Sequence, residues 1–138
     1  PMTSTVLYTE DLRPYCTHLQ SGSAIETDAP VDNQGNGARF SPTDLLATSL
    51  AACMLTVMGI KARSMGFDLN DLKAEVQKNM KADPRRVGGI DLTFHIPENL
   101  AQLSEKDILI LKNTGLTCPV AKSLHPDIVV NIDWGHWN

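Results

Sequence analysis

"SPTDLLATSLAACMLTVMGIKARSMG" (Ser41 to Gly66) is the stretch on which the fold turns. It opens as helices open: Ser41 is placed as N-cap, Pro42 at the first helical position and Asp44 at the third, where a carboxylate answers the positive end of the helix dipole. Apart from Gly59 no breaker follows until Gly66, which reads as the C-terminal stop. The spacing predicts a helix of about 24 residues, roughly 36 Å long at 1.5 Å per residue. Its middle is apolar on every face, which a helix tolerates only when surrounded. A chain of 138 residues has little material for wrapping such a helix, so a second subunit is expected to help. The run Leu45 to Ile60 approaches the length of a membrane span. It carries Thr48, Ser49 and Thr56, however, and the chain holds no second candidate, so a central helix of a soluble protein is the better reading and no membrane partner is expected.

Composition sets the outer bounds. With 42% apolar residues the chain can build one core without disulfide or metal staples, and a single domain over residues 1–138 is expected. A formal net charge of −4 argues against a protein that clamps nucleic-acid phosphates or anionic membranes. Three cysteines, Cys16, Cys53 and Cys118, lie far apart with no CxxC spacing. Their odd number does not suit a secreted disulfide framework, and the N-terminal residues carry no secretory pattern. A reducing, cytoplasmic setting is expected.

Around the long helix the pattern is mixed. "STVLYTEDLRPYCTHLQSGSAIETDAP" is rich in strand formers interrupted at Glu10-Asp11 and Ser21-Gly22, and predicts two or three antiparallel strands. Cys16 and His18 then share one strand face, a weak metal half-site without a second pair. "DAPVDNQGNGARFSP" is a loop by its proline, asparagine and glycine content. Downstream, "LNDLKAEVQKNMKA" and "RRVGGIDLTFHIPE" read as paired strands, the second alternating Ile90, Leu92, Phe94 and Ile96 against polar residues that include His95. "SEKDILILKNTG" predicts a helix capped by Ser104, with Asp107 at the third position and Gly115 as its stop. A short helix from Pro119 to about Leu124 and a closing strand in "DIVVNIDW" complete the chain.

Two thiols carry the chemistry, and their local settings differ. Cys118 precedes Pro119 at a helix start, where unpaired N–H groups favour an anion, so the sequence predicts a lowered pKa and a reactive thiolate there. Cys53, in mid-helix among Leu50, Met54 and Val57, reads by itself as a buried, inert thiol.

The order and separation of two motifs point further. "SPTDLLATSLAACM", followed about 65 residues later by "CPVAKSLHPDI", resembles the OsmC/Ohr family of osmotically inducible and organic hydroperoxide resistance proteins, and the likeness extends through the "TDAPVDNQGNG" loop to the last strand. The resemblance implies an α+β fold with antiparallel sheets wrapped around a long central helix, in an intertwined homodimer. It also implies a thiol peroxidase for organic hydroperoxides with no bound cofactor. Cys53 matches the peroxidatic cysteine and Cys118 the resolving one, so the family assigns the two roles opposite to the local reading. An external dithiol reductant of lipoyl type is expected to restore both thiols. The family activates its peroxidatic thiolate with an arginine held by a carboxylate near the start of the long helix. Here the candidates are Arg13 and Arg39 for the arginine and Asp44 for the carboxylate, the usual glutamate position being Thr43. Asp44 lies nine residues before Cys53, on the opposite helix face and about 13 Å away, so it could serve only the site of a second subunit. Rival readings are a redox sensor on the same fold, or an apolar-ligand binding protein in which Cys53 is packing.

Overall fold

The computed structural model describes all 138 residues, and the chain resolves into two compact units, Pro1–Leu46 and Ala47–Asn138. In the smaller unit β1 (Ser4–Tyr8), β2 (Pro14–His18) and β3 (Ala24–Glu26) form an antiparallel meander. Its register places Val6 opposite Cys16 and Cys16 opposite Ile25. β1 and β2 are joined through Asp11 and Leu12, both with positive φ (54° and 60°). Consecutive positive φ angles are what a tight hairpin requires, and at non-glycine residues they cost about 1 kcal/mol each. Beyond β3 the loop folds back on itself. Gly35 is confined there, because an added Cβ would lie 1.7 Å from the Ala29 carbonyl oxygen.

The long helix forms as its sequence predicts. α1 runs Pro42–Ser64, one residue short of expectation, and Gly66 follows with φ +94°. Ser41 Oγ accepts from the Asp44 N–H at 3.0 Å while Asp44 Oδ2 accepts from the Ser41 N–H at 3.0 Å. This reciprocal capping box satisfies two backbone donors at once.

The larger unit holds a second sheet of β4 (Lys73–Lys81), β5 (Arg86–His95) and β6 (Val129–Asp133), in that order. β4 and β5 are antiparallel, but β6 runs parallel to β5, so the expectation of purely antiparallel sheets is corrected. The reason is the connection: α2 (Glu98–Ala101), α3 (Glu105–Leu116) and α4 (Pro119–Ser123) carry the chain back to the starting end of β5, and a crossover of this kind delivers a parallel strand. α2 had no clear signal in the sequence; it is a single turn opened by Pro97.

The core lies between α1 and the second sheet. Ala47, Leu50, Ala51, Met54, Met58 and Ala62 make one buried stripe on α1, clustered with Ile90, Leu92 and Phe94 of β5 and Leu111 of α3. Phe94 stacks on Trp134 with ring centroids 4.5 Å apart. Ser104 caps α3 by accepting from the Asp107 N–H, but Gly115 does not end that helix. It is buried inside it, where an added Cβ would meet Met58 Sδ at 2.8 Å. The other faces of α1 remain open, with Leu46 at 39% and Ile60 at 64% exposure. α1 is also the one helix with the length and apolar content to cross a bilayer.

Candidate functional site

Two cysteines of the larger unit are neighbours. Cys53, half-buried in the middle of α1, lies near enough to Cys118, at the cap of α4, to influence its titration. Cys118 is 1% exposed and belongs to the core, and Cys53 packs against that core from its half-open position. The backbone of α4 does what the N-cap argument anticipates, since the Ala121 N–H donates to Cys118 Sγ at 3.3 Å.

The consequence for the thiolate is the reverse of the local sequence reading. Burial pushes the Cys118 thiol up, and the neighbouring Cys53 adds to that, outweighing the N–H donation from Ala121 and Val120. Two facts of the fold explain the correction: α4 is a five-residue helix, which contributes little dipole, and the thiol is desolvated. Cys53 is therefore the more accessible of the two neighbouring thiols. The larger unit also holds a groove of about 260 Å³ lined by Leu50, Met54, Leu116, Ala121 and Leu124, with His125 at its side. The groove is apolar except for that imidazole, whose Nδ1 accepts from the Asp127 N–H at 3.0 Å.

Arg13, Arg39 and Asp44 belong to the smaller unit and have partners there. Arg13 follows directly on the strained Asp11-Leu12 turn and makes a two-pronged pair with Asp28, Nε to Oδ1 at 2.6 Å and Nη2 to Oδ2 at 2.9 Å. Asp28 is 1% exposed and accepts a third hydrogen bond from the Ala38 N–H at 2.9 Å. The Arg13 guanidinium holds its carboxyl below the usual range against the opposing effect of burial. Sequence reasoning missed Asp28, because a carboxylate 15 residues from its arginine leaves no periodic signal. Arg39 is half-exposed, donating to its neighbour's carbonyl at Ala38 and lying 3.5 Å from Glu26. Asp44 takes part in the capping box of α1, and Asp28 is the carboxylate that clamps Arg13.

The remaining candidates stay apart. Cys16 is a free thiol within β2, while His18 hydrogen-bonds Ser21. No three His, Cys, Asp or Glu side chains converge as a metal cage. His95 sits on the exposed face of β5, paired with Glu75 at 2.5 Å.

Comparison with known proteins places this architecture. The family model described as OsmC-like protein matches residues 35–133. Among solved structures, a Psychrobacter arcticus protein provisionally named for osmotic stress induction and detoxification response is 55% identical. It covers 96% of this chain and 95% of its own, with a TM-score of 0.91. An organic hydroperoxide resistance protein OsmC from Legionella pneumophila is 18% identical over 96% of both chains, TM-score 0.72. The organic hydroperoxide resistance protein OhrB of Bacillus subtilis is likewise 18% identical, covering 96% of this chain and 97% of that one, TM-score 0.64. These last two share the fold. Among curated proteins none matches the chain. With the family model spanning most of its length and a relative of more than half identity over nearly all of it, the chain belongs to the OsmC-like protein family.

Proposed function

We propose that the chain is a thiol-dependent peroxidase for organic hydroperoxides, working in the cytoplasm as an intertwined homodimer. The observation that carries this reading is the neighbouring placement of a half-buried thiol, Cys53, and a fully buried one, Cys118. The Cys53 thiolate attacks the terminal oxygen of the hydroperoxide, the O–O bond breaks, and the departing alkoxide leaves as an alcohol after taking a proton. Cys53 is then a sulfenic acid. Cys118, its neighbour, attacks that sulfur as the thiolate and expels hydroxide, which leaves as water. An external dithiol, of lipoyl type by family likeness, reduces the disulfide and is itself oxidised. The apolar groove lined from α1 and α4 suits the organic part of the substrate.

Arg13 is the arginine we favour as activator of the Cys53 thiolate. Its clamp on buried Asp28 fixes the guanidinium in direction. Arg39, on an exposed loop, has no comparable anchor.

The reading is tested by single-turnover oxidation of two variants. Cys118→Ser is expected to consume about one equivalent of organic hydroperoxide per subunit and to stop at a sulfenic acid on Cys53, trapped by a dimedone probe and located by mass spectrometry. Cys53→Ser is expected to consume none. A sulfenic acid on Cys118 in the Cys53→Ser variant would overturn the role assignment. No peroxide consumption by the parent protein would leave the fold as a redox sensor or an apolar-ligand binding module.

A further inference from the structure

The loop between β3 and α1 carries a reactive group of its own. We propose that Asn36 is a modification site: its carboxamide is deamidated intramolecularly by the Gly37 backbone nitrogen, and the product loosens the clamp on Arg13. Asn36 is exposed, and the hydrogen bonds that shape the loop pass it by. They run from the Asn33 and Gly35 N–H groups to the Pro30 carbonyl, from the Gly37 N–H to the Ala29 carbonyl, and from the Ala38 N–H to Asp28 Oδ2. None of these bonds fixes the Asn36 carboxamide. What ordinarily hinders attack on such a group is the side chain of the next residue, and glycine has none. Asn36 alone among the chain's asparagines precedes a glycine.

The fold itself excludes a shielding residue. Gly37 has φ +63°, and an added Cβ would lie 2.6 Å from Val31 Cγ2, so position 37 is closed to side chains. The attacking nitrogen is loosely held, because the Gly37 N–H donates at 3.3 Å, longer than the usual limit of about 3.2 Å. By contrast, the carboxamides of Asn79 and Asn131 are both tied to Asp91 at 3.0 Å. The step needs only water. The Gly37 nitrogen loses its proton and bonds to Asn36 Cγ, the side-chain nitrogen leaves as ammonia, and a five-membered succinimide closes. Water then opens one of its two carbonyls. One opening gives aspartate, and the other gives isoaspartate, whose main chain runs through the former side chain and is longer by a methylene. Both products carry a negative charge that Asn36 lacks. Ala38, two residues on, feels the change, since its N–H is the third donor to the buried Asp28 carboxylate that clamps Arg13. A lengthened main chain displaces that donor.

The test ages the full chain in mildly alkaline buffer at physiological temperature and follows every asparagine by peptide mass spectrometry. Asn36 is expected to convert first, gaining about 1 Da, with the isoaspartyl fraction labelled by protein isoaspartyl methyltransferase. Hydrogen exchange at the Ala38 amide should be at least about tenfold faster in the converted protein than in the fresh one, the effect of losing a hydrogen bond to a charged acceptor. Asn36→Gln, whose carboxamide is one methylene too far for a five-membered ring, should age without change at position 36 or at Ala38. The proposal is overturned if Asn36 stays intact, if another asparagine converts before it, or if exchange at Ala38 is the same in fresh and converted protein. The mass and exchange measurements on the parent chain decide the matter even where the variant fails to fold. No peroxide enters these measurements, so their outcome is independent of turnover.

Discussion

At position 118 a local rule and a tertiary fact pull in opposite directions. The cap geometry is as the Cys-Pro sequence announces, with the sulfur accepting from Ala121, yet desolvation raises the thiol's pKa. Burial wins because hydrogen bonds from a one-turn helix recover only part of what a thiolate loses on leaving water. In the reduced protein near pH 7, iodoacetamide is therefore expected to alkylate Cys53 faster than Cys118 by at least about tenfold, measured by peptide mass spectrometry over time. Faster labelling of Cys118 would reinstate the N-cap reading. What was legible at this scale was whatever the chain writes within a few residues: Ser41 with Asp44, Ser104 with Asp107, Cys118 as a cap. The Arg13 and Asp28 pair, and the depth at which Cys118 lies, exist only once distant segments have been brought together.

Helices and strands were legible from period and caps, but their mutual arrangement was not. β5 shows its alternation plainly, and β6 is recognisable as a strand. Its direction follows from three intervening helices rather than from its own residues. Gly115 illustrates the same limit. A glycine near the end of an apolar helical pattern signals a stop, whereas here it permits close approach of α3 to α1 over Met58 and Met54. Gly115→Ala should accordingly destabilise the fold by about 1–3 kcal/mol, because Met58 sits in a packed core with little room to yield. Chemical denaturation of the variant checks this. An unchanged midpoint would mean that the methionine moves freely. Cys118 follows Gly115 closely and donates its own N–H to the Gly115 carbonyl, so loss of that approach should also disturb the thiol pair.

For the molecule as a whole, too much apolar surface is left uncovered for a chain acting alone. All five residues of β1 are exposed, with Val6, Leu7 and Tyr8 each above 60% exposure, and α1 adds Leu46 and Ile60. Exposed apolar residues of this number fit an interaction surface, and under the proposed homodimer its occupant is a second copy. Sedimentation at micromolar concentration is expected to find only dimer, and a stable folded monomer would refute that expectation. The proximity of Cys53 and Cys118 has one more consequence, which concerns the unfolded chain rather than the folded one. The two residues are about 65 positions apart, so a disulfide between them closes a long loop and removes conformational freedom from the denatured state worth about 4 kcal/mol. Each catalytic turn of the proposed cycle would then alternate the protein between a chain that can open completely and one that is tied across its middle.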